Sequence, residues 1–218
     1  GRSASNSLRT IEISGEFMPQ TTRNIAIFIS IMLLLTVATQ LLYLTTLSGV
    51  GIVDGWPLRS TIWTTELLLF TGITIASLVG LARSSDMQWG WAALLVSGLT
   101  NMIQSGIGLS MFLPAAKAGA EFSPLMGTLL AGSFLFYNLA KAVLGLVALI
   151  FGLSLFRNDK TIGRFIGLVS MVAGVIAIVL NIAAVRLGLG SVPFSGASGS
   201  VATLFAGCAI WLSARPAK

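Results

Sequence analysis

The chain of 218 residues is 55% hydrophobic and only 9% charged, with 13 basic and 7 acidic side chains and a net charge of +6. Such a balance lies outside that of a water-soluble globular domain and predicts an all-α, polytopic integral membrane protein, a helical bundle in contact with the lipid bilayer. With no histidine and one cysteine, the composition excludes His-ligated haem, zinc or copper and an internal disulfide, so no cofactor and no metal is expected.

Residues 1–23 are polar, rich in small side chains and without helical or strand period. They predict a tail outside the fold, whether native, upstream of a start at Met18, or no part of the natural chain. No cleavable signal peptide is expected, because the first apolar run is too long and lacks a cleavage site near its end.

A hydrocarbon core of about 30 Å takes about 20 apolar residues of helix. Six segments within residues 24–214 meet that length. The first, Ile25 to Leu47, carries Gln40. The second, Ile62 to Ala82, follows the Gly- and Pro-containing connector SGVGIVDGWPLRST and carries Glu66. The third, Trp89 to Leu113, places Ser97, Asn101, Gln104 and Gly108 at spacings of four, three and four, on one helical face.

The connector PAAKAGAEFSP leads to the fourth segment, Leu129 to Phe156, with Asn138 and Lys141. The fifth, Ile162 to Val185, carries Asn181 and the small-residue pairs Gly163 with Gly167 and Ser170 with Gly174, which with Gly145 and Gly152 of the fourth predict close helix packing. The sixth, Ala197 to Ala214, follows the charge-free, Gly-rich stretch GLGSVPFSGASG, for which a re-entrant segment is the alternative. Cys208 reads as a small buried apolar side chain. Residues 215–218 form a short basic tail.

Arg23, Arg83, Arg157, Lys160, Arg164, Arg215 and Lys218 fall on one side of these spans, against Arg59, Lys117 and Arg186 on the other. The positive-inside rule then places both termini in the cytoplasm of a cell whose inner membrane holds the chain. Trp89 and Trp91 are expected in the cytoplasmic aromatic belt and Trp56 and Trp63 in the outer one. The basic surplus reads as topology signal and headgroup contact, and no nucleic acid partner is expected.

Gln40, Glu66, Asn101, Gln104, Asn138, Lys141 and Asn181 all fall at or beyond the midplane on the outer side, whereas the cytoplasmic half holds only hydroxyls such as Ser30, Thr36, Ser77, Ser154 and Ser170. Two readings follow. In one, Lys141 runs its stem up to the headgroups and the amides join helices. In the other, Glu66 and Lys141 pair inside an outward-facing polar pocket that the amides line.

Catalysis is not favoured, because Glu66 is the sole acid within a span and Asp54, Glu121 and Arg59 are scattered without motif spacing. A one-sided polar cluster suits the binding or transport of a small solute. An accessory subunit of a larger membrane complex is the alternative, with other membrane subunits or further copies of the chain as partners.

Overall fold

The structure is a computed structural model that describes residues 20–84, 87–159, 162–188 and 190–215. Residues 1–19 of the expected tail, the basic Lys160 and residues 216–218 lie outside these segments. Among the described residues every regular element is helical: α1 (Gln20–Leu47), α2 (Trp56–Arg83), α3 (Gln88–Lys117), α4 (Ser123–Asn158), α5 (Ile162–Leu187) and α6 (Ser195–Ser213). All six are long and apolar enough to cross a membrane.

The helices begin or end beyond the expected bounds where proline is tolerated. Gln20 to Asn24 already belong to α1. Pro57 stands in the first turn of α2 and Pro124 in that of α4, where a fixed φ and a missing N–H cost nothing. The 36 residues of α4 make it the longest helix, roughly 54 Å at 1.5 Å per residue.

Pro114 does not stop α3, contrary to the expected end at Leu113. A proline ring collides with the carbonyl four residues back and offers it no N–H. The helix widens into a π turn over Gly108–Phe112, which relieves both, and continues to Lys117. Residues 190–194 approach α6 as a loop with Phe194 in the left-handed conformation (φ 63°). The loop leads into one continuous helix, Ser195–Ser213.

Five helices close a ring in the order α1, α2, α3, α4, α6, and α5 lies outside it along α4 and α6. The seam of α4 with α5 is set by glycines that meet backbone to backbone. A Cβ on Gly145 would stand 2.6 Å from the carbonyl oxygen of Gly174, and one on Gly152 would stand 2.8 Å from that of Gly167. Ser170 Oγ completes the seam by donating to the Ala148 carbonyl at 3.0 Å. Gly163 packs against the Asp159 side chain instead.

The ring is filled in layers. Toward the end that carries Arg23, Arg83 and Arg157, the inward faces bury Ile29, Leu33, Phe70, Ile73, Leu94, Val147 and Phe151 in one apolar cluster. Toward the opposite end, Leu47, Ile62, Trp63 and Phe112 form a second cluster, with Tyr43 and Trp56 packed on it. Trp89 is 84% exposed, but Trp91 is wholly buried against Phe151, their ring centroids 5.5 Å apart. Trp63 is buried as well, edge-on to Phe112 at 5.5 Å. Both indoles are packing residues because each faces a glycine that leaves room for a ring: Gly80 for Trp91 and Gly108 for Trp63. Cys208 is half-buried rather than enclosed.

Candidate functional site

Between the two apolar clusters lies a polar layer. The inward face of α2 repeats every three to four residues as Arg59, Ile62, Trp63, Glu66, Phe70 and Ile73, all buried. That period puts one carboxylate inside the ring between the two apolar layers. Glu66 is 8% exposed and its Oε1 accepts a hydrogen bond from Thr39 of α1 at 2.9 Å.

Opposite it, midway along α4, Lys141 is 0% exposed. Its stem does not run up to the end of the bundle. The ammonium donates to Thr203 Oγ1 of α6 at 3.5 Å and sits 5.4 Å from the centre of the Tyr137 ring, one turn earlier on α4. A lysine here needs a hollow in the facing helix, and α6 supplies one: a Cβ on Gly199 would stand 2.6 Å from Lys141 Cγ.

Lys141 and Glu66 come from helices that are not ring neighbours and interact electrostatically without making an ion pair. The same carboxylate acts on Tyr137, whose hydroxyl lies beside Ser200 of α6. Ser200 Oγ donates to Gln40 Oε1 of α1 at 2.6 Å. Gln40, Thr39, Glu66, Tyr137, Lys141, Ser200 and Thr203 thus form one constellation drawn from α1, α2, α4 and α6.

The remaining amides divide. Asn101 is buried on α3, where its Nδ2 donates to the Ser97 carbonyl at 2.9 Å, while Ser97 Oγ donates to the carbonyl of Ala140, next to Lys141, at 3.2 Å. It braces the wall behind the lysine. Gln104 stands half-buried at the edge, and Ser105 takes the interior position expected for it.

Asn138 and Asn181 are not part of the constellation. Asn181 Nδ2 donates to the Ala177 carbonyl (2.8 Å), the Ser195 carbonyl (3.2 Å) and Ser198 Oγ (3.3 Å), joining α5 to α6. Asn138 lines a groove of about 430 Å³ between α4 and α5, with Gly132, Ala184 and Gly188 among its neighbours. Its Oδ1 is buried without a hydrogen-bond partner.

The sequence reads Arg59 as a charge at one end and as a scattered loop residue with Asp54 and Glu121, yet it is interior. It is 3% exposed, and its guanidinium donates to Tyr43 Oη (3.2 Å), the Gly51 carbonyl (3.0 Å) and the Val50 carbonyl (3.1 Å). It also lies over the rings of Tyr43 and Trp63. The α1–α2 loop is thereby tied down over the aromatic cluster, which closes the polar layer at that end. In this layer Glu66, Lys141 and Thr203 are buried, whereas Thr39, Gln40, Tyr137 and Ser200 are half-buried.

Among the described residues no three His, Cys, Asp or Glu side chains converge as metal ligands. What the layer offers chemically is two opposite charges, two threonine hydroxyls, a serine hydroxyl, a phenol and an amide. Comparison of the chain with protein-family models, curated proteins and solved structures finds no match.

Proposed function

We propose that the protein is a multi-pass membrane protein, its six helices crossing the cell's inner membrane with both termini in the cytoplasm, and that its ring holds a site for a small polar solute. The polarity of the fold supports membrane insertion, because large apolar side chains such as Leu68, Ile75, Leu78, Val172 and Val179 are exposed on the outer faces while Arg59, Glu66 and Lys141 are buried. A water-soluble monomer rarely exposes so large an apolar surface.

The observation that carries the solute site is the buried, non-contacting pair Glu66 and Lys141. A lysine within the hydrocarbon region costs at least about 2.5 kcal/mol. A purely structural role would be served best by direct contact of the two charges, which recovers the most Coulomb energy. Two charges held apart inside a ring, beneath a lid latched by Arg59, suit a compartment that opens, takes up a solute and closes.

Site-directed labelling tests both parts. In a Cys208→Ala background, cysteines replacing Ser48 and Ser191 should react with a membrane-impermeant maleimide on intact cells, whereas one replacing Asn158 should not. A cysteine replacing Thr203, which is fully buried beside Lys141, should react slowly with a small thiol reagent as the lid opens. Complete inertness of that position in the reconstituted protein would sink the solute-site reading.

One observation favours the accessory-subunit alternative. The unpartnered Asn138 amide oxygen beside the small-residue groove suits a hydrogen bond from a partner helix. A stoichiometric partner retained after gentle detergent extraction, and lost with Asn138→Leu, would support it.

A further inference from the structure

The arrangement of the two charges says more about the solute. Lys141 has three donors, and its ammonium makes one hydrogen bond, at 3.5 Å, with Thr203. Glu66 accepts from one hydroxyl, that of Thr39. The two groups stand on helices that are not neighbours in the ring and act on each other without an ion pair. Neither is neutralised by an ion pair, and the same constellation holds Tyr137, 5.4 Å from the ammonium, and the Gln40–Ser200 hydrogen bond.

A solute carrying one charge would leave the opposite buried charge uncompensated, which is costly in a low-dielectric interior. A solute carrying both would satisfy each end. We infer that the ring binds a small zwitterion of the amino acid type, its ammonium on Glu66 and Thr39 and its carboxylate on Lys141 and Thr203. The inference rests on the proposed solute site and narrows it to one chemical class. Tyr137, Gln40 and Ser200 would contact the solute between its two ends, and the aromatic cluster of Trp63 and Phe112 would face an apolar side chain.

The test uses the full-length wild-type protein in detergent, so that it does not depend on a variant folding. Its melting temperature is measured with the protein amino acids of uncharged side chain, β-alanine and γ-aminobutyrate. Each is matched by its carboxamide, which keeps only the ammonium, and by its des-amino acid, which keeps only the carboxylate. At least one zwitterion should raise the melting temperature while both of its singly charged analogues fail to. Glu66→Gln should then weaken binding of that zwitterion about tenfold or more, the loss of one charged hydrogen-bonded contact.

An equal response to a singly charged analogue overturns the zwitterion inference while leaving a solute site in place. No response to any zwitterion overturns it too. The solute site itself stands or falls separately, on the reactivity of a cysteine at position 203.

Discussion

Lys141 and Glu66 face each other across the ring, close enough to interact electrostatically but without an ion pair, each held by a threonine of a different helix. Thr203 is on α6 and Thr39 on α1, so four helices hold two charges. The relationship inverts the usual order of a soluble fold, in which charges are outside and leucines inside.

Thr203 is the hydrogen-bond partner of Lys141, and its own hydroxyl donates to the Gly199 carbonyl at 2.7 Å. Thr203→Val keeps the shape and removes the acceptor, so it should lower stability by about 1–3 kcal/mol, the cost of leaving a buried charged donor without its partner. Thr203→Ser should lie within about 0.5 kcal/mol of wild type. Thermal melting of the three proteins in one detergent makes the comparison.

The glycine seam predicts a position-specific response to one added methyl group. Gly145→Ala and Gly174→Ala each place a Cβ against the opposing backbone, which cannot give way as a flexible side chain would, and each should destabilise by about 1–3 kcal/mol. Gly132→Ala meets nothing within 4 Å and should be neutral or stabilising by up to about 1 kcal/mol, since alanine is the better helix former. Equal effects at all three sites would contradict the close approach of α4 and α5.

Arg59 is expected to act as the latch of the lid. Arg59→Lys keeps the charge but cannot span Tyr43, Val50 and Gly51 with one planar fork. Amide hydrogen exchange over residues 48–55 should rise at least about tenfold while exchange in α2 below Glu66 is unchanged. Global acceleration would mean that Arg59 supports the whole bundle instead.

The helices were legible because a long apolar run declares itself by length alone, and Gly145, Gly152, Gly167 and Gly174 announced close packing by their spacing. The ends were less so. Pro57, Pro114 and Pro124 read as breaks, yet two begin helices and one is absorbed by a π turn. Depth along a helix is countable from sequence, and it brought out Glu66 and Lys141. Direction around the helix axis is not, because almost every face of these helices is apolar. That is why Asn138 and Asn181 were grouped with residues they do not meet, and why Trp63, Trp91 and Arg59 were assigned to a belt or a boundary. One signal went unread: Gly196, Gly199 and Thr203 recur at helical spacing in α6, a stripe of small residues whose hollow admits Lys141 and Tyr137.

The most direct measurement is a double-mutant cycle on Glu66→Gln and Lys141→Met, read as thermal stability in a single detergent. Each single variant leaves one buried charge without its counterpart and should be strongly destabilised. The double variant should be more stable than the sum of the two losses requires, by about 1–3 kcal/mol, and exchanging the charges in Glu66→Lys with Lys141→Glu should recover part of the loss of either reversal alone. Strict additivity, with no recovery on exchange, would contradict the account: the two side chains would then be separate buried charges and not two halves of one site.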